Sequence, residues 1–139
     1  MPEDHEWLEA CRAVSLFGTC PRLRVGCVVV RKGKFRSDGW NGSPRDTASC
    51  LEVGCDLEDG HCVRAVHAEA RALLSARFPL KGAMLYCTDF PCYACAKLIV
   101  EAGIVRVCTE DDYKYGKKSK ELFSKAGIAW TIQNPKYAQ

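Results

Sequence analysis

Ten cysteines in a chain of 139 residues constrain this sequence more than any other feature. Such a density means either a disulfide-stapled framework or bound metal, and the two lead to different folds. The first residues, MPEDHEWLEA, are acidic and lack a basic region followed by an apolar core. No export signal is therefore expected, and a reducing, cytoplasmic setting follows. The cysteines also cluster with two of the three histidines, His61 and His67. Metal binding explains the count better than disulfides. Cys11, Cys27, Cys87 and Cys108 stand apart, each within an apolar periodic segment, and are expected as small buried hydrophobes.

The length suits one domain, 1–139, around one core. Hydrophobic residues at 47% and charged residues at 27% give an ordinary soluble globular mix. No segment approaches the roughly 18 consecutive apolar residues of a membrane span, so no membrane partner is expected. A net charge of +3 is too weak to indicate a nucleic-acid partner.

Trp7, Leu8, Cys11, Val14 and Phe17 fall at helical spacing, which predicts a helix over 6–17 that Pro21 does not let continue. Two strands follow at 25–31 and 34–40, joined at Lys32-Gly33. The segment 41–62 lacks period and is rich in Gly, Ser, Asp and Cys. A loop that long inside a small domain needs a functional reason. Beyond it the pattern predicts a helix over 63–76, a strand over 83–87, and a helix over 91–102 opened by Pro91 and stopped by Gly103. A strand over 104–108, a helix over 119–126 and a strand over 128–132 complete the chain. This alternation predicts an α/β fold, a mixed or parallel sheet with helices on its faces.

Two short motifs carry the chemistry: His67-Ala68-Glu69 and Pro91-Cys92-Tyr93-Ala94-Cys95. Each alone is weak, since Cys-x-x-Cys also serves redox dithiols and zinc fingers. Together and in this order they are recognised as the signature of the zinc-dependent nucleobase deaminases. The physics agrees with the recognition. Cys92 and Cys95 are three residues apart at a predicted helix start, on one face, where the positive helix end favours thiolates. With His67 they make three zinc ligands, which leaves the fourth position open in the catalytic rather than structural pattern. Glu69 reaches the same place without being a ligand. It is expected to take a proton from the activated water, hand it to N3 of a cytosine ring, and then protonate the departing amino group.

Longer stretches sharpen the resemblance. Thr19-Cys20-Pro21-Arg22-Leu23-Arg24-Val25-Gly26, Trp40-Asn41-Gly42-Ser43-Pro44, the run from His61 to Glu69, and Phe90-Pro91-Cys92-Tyr93-Ala94-Cys95-Ala96-Lys97 resemble the deoxycytidylate (dCMP) deaminases, in particular bacterial and phage members. The likeness runs from about Cys20 to Trp130. It implies the cytidine-deaminase-like three-layer αβα fold, with a five-stranded mixed sheet flanked by helices. It implies hydrolysis of dCMP to dUMP and ammonia, the supply of the thymidylate precursor, and homo-oligomers, commonly hexamers, answering to dCTP and dTTP. Cys27 departs from the family's usual Ala, and Trp40 from its usual Tyr.

The resemblance places Asn41 against the sugar, and an amide that both donates and accepts suits a 3′-hydroxyl. Arg22 is the first candidate for the 5′-phosphate, because a guanidinium matches phosphate bidentately. Tyr113 and Tyr115 stand in a polar loop from which they can cover the base. The metal-rich loop suggests a second, structural zinc, with Cys20 and Cys50 at the places where some family members hold one. Cys20, Cys50, His61 and Cys62 are the expected ligands, with Cys55 the rival to Cys62. Deamination of free cytidine or deoxycytidine, or of tRNA adenosine, is the enzymatic alternative. A zinc-stabilised interaction module is the other, although such a module has no need of Glu69.

Overall fold

The computed structural model describes residues 3–137. Helix α1 (Asp4–Ser15) leads into a β-hairpin of β1 (Gly26–Arg31) and β2 (Lys34–Trp40). The hairpin turns on Lys32 and Gly33, both at positive φ (53° and 73°), the backbone that matches the strands' right-handed twist. The one-turn helix α2 (Cys50–Val53) and a two-stranded ribbon of β3 (Leu57–Glu58) and β4 (His61–Cys62) follow. Then come α3 (Ala68–Ser75), β5 (Met84–Asp89), α4 (Tyr93–Glu101), β6 (Arg106–Asp111), α5 (Lys117–Ala126) and β7 (Ala129–Asn134).

The main sheet has five strands in the order β2-β1-β5-β6-β7. β1 is antiparallel to both of its neighbours, whereas β5, β6 and β7 run parallel. This is the mixed sheet flanked by helices that the sequence predicts. Because side chains alternate along a strand, β1 feeds two cores. Val28 and Val30 join Tyr86, Cys108 and the α1 residues Leu8 and Cys11 on one face. Cys27 and Val29 join Leu85, Cys87 and Val107 on the other, against Ala68 and Ala72 of α3, Ala96 and Ile99 of α4, and Phe123 of α5. The four cysteines expected as core hydrophobes are all buried. Arg106 holds Asp4 through two guanidinium bonds of 2.9 and 2.7 Å, and Tyr86 donates to the same carboxylate at 2.6 Å, fixing α1 to the sheet.

The start of α3 differs from the sequence pattern, and the difference positions the site. The helix begins at Ala68 rather than at 63. Val66 instead exchanges two backbone hydrogen bonds with Gly42, at 2.7 and 3.1 Å, so the chain enters the helix extended. His67 becomes the N-cap. α3 lies close on β2 because Gly39 has no side chain: a Cβ there would meet Ala68 O at 2.3 Å and Ala72 N at 2.4 Å. The segment 41–62, expected without structure, carries α2 and the β3–β4 ribbon. No helix among the described residues is long and apolar enough to cross a membrane.

Candidate active site

Two helix starts meet at the site. His67 caps α3 and Cys92 caps α4, and Cys95 stands in the first turn of α4. Their ligand atoms lie within 4.8 Å of one another. His67 Nδ1 is 3.4 Å from Cys92 Sγ and 3.3 Å from Cys95 Sγ. Tetrahedral zinc with ordinary Zn–N and Zn–S bonds sets such atoms roughly 3.6 Å apart, so the three side chains fit the ion. A hydrogen bond from the Cys95 thiol, assisted by the His67 ring, brings the Cys92 pKa down to about 4. Cys95, donating to that thiolate and buried, is pushed up in turn. The bond to Cys92 raises His67. The helix ends reinforce the thiolate character that zinc requires.

Glu69 follows His67 by two residues, is 5% exposed, and lines a cleft of about 720 Å³. Burial raises its carboxyl to about 7, which suits a group that must both take and give a proton near neutral pH. The cleft is lined also by Arg22, Asn41, Asp89, Phe90 and Tyr113. Polar groups converging in a cleft beside a metal-ligand set are the usual features of a candidate substrate site.

Of the residues expected at the substrate, Arg22 and Asn41 both reach this cleft. Arg22 Nη2 donates to Gly60 O at 3.1 Å, which spends one of the five guanidinium donors on the metal-rich loop. The Asn41 amide is more committed. Its Oδ1 accepts the Val25 N–H at 2.8 Å and its Nδ2 donates to Leu23 O at 2.6 Å, so it braces the chain entering β1. Tyr113 lines the cleft. Tyr115 packs edge-on against it with ring centroids 5.7 Å apart and is 60% exposed.

The sequence pattern gives no sign of Asp89. It ends β5, directly beside Asp111 of β6, and faces the cleft with Thr88 Oγ1 donating to its Oδ2 at 3.2 Å. Burial raises its carboxyl. Arg71 is a second residue without a sequence signal. Its guanidinium donates to the carbonyls of Trp40, Gly42 and Ser43 at 2.9 to 3.1 Å and holds the loop that presents Asn41.

A second cluster adjoins the first. The Sγ atoms of Cys20, Cys55 and Cys62 lie within 4.8 Å of one another, and Cys50 Sγ is 3.6 Å from Cys62 Sγ. Two thiolates on one tetrahedral zinc stand roughly 3.8 Å apart, so this spacing also fits a metal. Cys55 and Cys62 thus lie in one thiol cluster, next to a ribbon in which Leu57 of β3 pairs with Cys62 of β4. The His61 side chain lies outside the described part of the structure. Although desolvation opposes it, backbone N–H groups at Arg64 and Asp56 and the Cys50 thiol bring Cys62 down to about 7. Cys20 and Cys62 also line the cleft, so the cluster forms part of its wall.

The chain is similar to several known proteins. It is 42% identical over 118 residues to ComE operon protein 2 of Bacillus subtilis, across 83% of this chain and 62% of that one. It is 41% identical to the deoxycytidylate deaminase of Mycobacterium phage D29, across 75% of this chain and 91% of that protein. The deoxycytidylate deaminase of Saccharomyces cerevisiae is 37% identical, and the chain spans 38% of its length. The structure of the dCMP deaminase from cyanophage S-TIM5 in complex with dCMP and dUMP superposes with a TM-score of 0.83 at 28% identity, over 95% of this chain and 98% of that one. The family model of the cytidine and deoxycytidylate deaminase zinc-binding region matches residues 1–110, which include His67, Glu69, Cys92 and Cys95, and the chain belongs to that family.

Proposed function

We propose that this protein hydrolyses dCMP to dUMP and ammonia. The observation that carries the reading is the buried Glu69 carboxyl in a cleft whose wall holds His67, Cys92 and Cys95 at zinc-binding distances. The likeness to a deaminase structure holding dCMP and dUMP supports the choice of nucleotide.

Each residue has a definite task. His67, Cys92 and Cys95 would hold the zinc, which when bound would make a water nucleophilic near neutral pH. Glu69 orients that water and takes its proton. Oxygen adds at C4 of the cytosine ring while Glu69 delivers the proton to N3. The second water proton then passes through Glu69 to the exocyclic nitrogen, the C4–N bond breaks, and ammonia leaves. One carboxyl serves as base and then acid, so a pKa near the working pH favours both halves. Asn41 and the segment it braces position the sugar, and Arg22 meets the phosphate.

The same reading includes a second zinc, held by Cys20, Cys50, Cys55 and Cys62, that fixes a loop with no core of its own. It includes assembly into homo-oligomers, the hexamer that the sequence resemblance implies, with dCTP and dTTP acting at subunit contacts. Leu16, Phe17 and Leu74, at 70%, 67% and 83% exposed, supply apolar surface that a symmetric contact covers. A reducing cytoplasm suits the many unpaired thiols. Ammonia release measured across dCMP, CMP, deoxycytidine, dCTP and an adenosine-containing tRNA stem-loop tests the function. Turnover greatest on dCMP supports it, and turnover confined to a nucleoside or to the RNA overturns it.

A further inference from the structure

A buried ion pair belongs neither to the cleft lining nor to either cysteine cluster. The side chains of Lys120 on α5 and Asp112 just beyond β6 are 3% and 0% exposed, with Nζ 3.2 Å from Oδ1. Replacing such a pair by apolar residues often leaves stability unchanged, so stability alone does not explain it. What the pair touches does. Asp112 Oδ1 also accepts the N–H of Tyr113 at 2.8 Å, and Oδ2 accepts the N–H groups of Lys136 and Tyr137 at 3.0 Å each. The Lys120 ammonium stands 5.5 Å from the centroid of the Phe90 ring, a cation–π contact in a desolvated place.

Phe90 and Tyr113 both line the cleft. The loop between them and α5 is seated closely: a Cβ at Gly116 would lie 3.1 Å from Tyr113 O and 3.3 Å from Phe90 Cδ2. One carboxylate thus fixes the Tyr113 main chain, one ammonium fixes the Phe90 ring, and the chain at 136–137 closes over the carboxylate from behind.

We propose that the Asp112–Lys120 pair is a positioning device for the Phe90–Tyr113 wall of the nucleotide cleft, with segment 136–137 as its clasp. The proposal rests on the cytosine-nucleotide reading and deepens it. Neither residue is among those that line the cleft. They act on substrate through the two aromatic side chains that do. Loosening them therefore weakens nucleotide binding while Glu69 and the zinc ligands stay in place.

The test uses the zinc-loaded full chain and two substitutions. Lys120→Met removes the buried cation at similar length. Lys136→Pro removes one N–H donor to Asp112 at an exposed position and keeps the test standing if Lys120→Met does not fold. Hydrogen exchange over residues 112–116, measured without nucleotide, reads the hold on Tyr113 whatever the substrate. Steady-state kinetics read the consequence. Lys120→Met is expected to speed that exchange at least about tenfold, raise KM for dCMP at least about tenfold, and leave kcat within about threefold with zinc content unchanged. Lys136→Pro changes the same quantities in the same direction by less. Faster exchange with an unchanged KM overturns the proposal, as does a fall in kcat that tracks loss of zinc. If the unmodified protein turns over another cytosine compound instead, the nucleotide reading fails by itself. The KM comparison then runs on that compound, and faster exchange together with a raised KM supports the positioning role while faster exchange with an unchanged KM overturns it.

Discussion

His67 and Glu69 open the same helix, His67 as its N-cap and Glu69 as its second residue. The cap turns one side chain toward the α4 thiols, while the carboxyl two residues on lines the same cleft, buried and raised to about 7. In the proposed mechanism that arrangement separates metal holding from proton transfer. Glu69→Gln keeps the shape and removes the proton carrier. Zinc content near wild type with turnover lower by at least about 10²-fold is expected, the lower range for a general acid–base group. Elemental analysis and an ammonia assay on one preparation check it, and near-normal turnover in the zinc-replete variant removes Glu69 from the mechanism.

The second cluster makes a count. Close to two zinc ions per chain are expected after purification without chelators. Cys50→Ser and Cys55→Ser are each expected to lose one ion and lower the melting temperature, because α2 and the β3–β4 ribbon have few apolar contacts of their own. His61→Ala is expected to keep both, since four thiols already gather around the site. A native protein with one zinc ends the second-site assignment. A His61 variant that loses zinc returns the histidine to the ligand set.

Asp112 supplies a pH signature. Burial alone would raise its carboxyl, but the N–H groups of Lys136, Tyr137 and Tyr113 and the Lys120 ammonium outweigh burial and hold it below the usual 3.8. A carboxyl lowered in the folded state stabilises the protein above the unfolded pKa, and that contribution is lost as pH falls through the lower folded value. The stability gap between the native chain and Asp112→Asn is therefore expected to be full above about pH 5 and to narrow below about pH 4. Denaturant unfolding at a series of pH values measures it. A gap independent of pH down to the acid transition contradicts the assignment.

The parts of this site that were legible in the sequence are those where chemistry dictates both residue type and spacing. His67, Glu69, Cys92 and Cys95 are recognised from the order of His-x-Glu and Pro-Cys-x-x-Cys, a signature in which residue type and spacing are both fixed by zinc chemistry. The α/β order followed from the alternation of apolar periods after residue 63. What escaped was set by contacts distant in sequence. Ala65, Ala68, Ala72 and Leu73 fit a helix that starts early, and only the pairing of Val66 with Gly42 delays it. Cys55 and Cys62 read as alternatives because their proximity depends on a two-residue ribbon. Asp89 gains its place from the register of β5 on β6, and the Asp112–Lys120 pair from the packing of α5. The bonds of the Asn41 amide to the backbone of Leu23 and Val25 also depend on contacts that the Asn-Gly pair alone does not reveal.

On the dCMP reading, substrate choice is expected to turn on the phosphate. A free nucleotide needs no extraction from a duplex, so its base can enter a small cleft and selectivity falls to the sugar and phosphate contacts. Arg22 stands in the wall of that cleft, held by Gly60 O, and its remaining donors suit a phosphate. If Arg22 meets the phosphate as proposed, a nucleoside leaves that cation without its partner, which discriminates strongly. dCMP is therefore expected to exceed deoxycytidine by at least about 10²-fold in kcat/KM, the scale of one charge-assisted contact of about 3 kcal/mol. Arg22→Ala is expected to lower dCMP turnover far more than any residual nucleoside turnover. An equal loss on both substrates means that Arg22 acts through its bond to the Gly60 loop rather than through phosphate. Equal activity on deoxycytidine and dCMP in the unmodified protein overturns the nucleotide assignment and puts the nucleoside in its place.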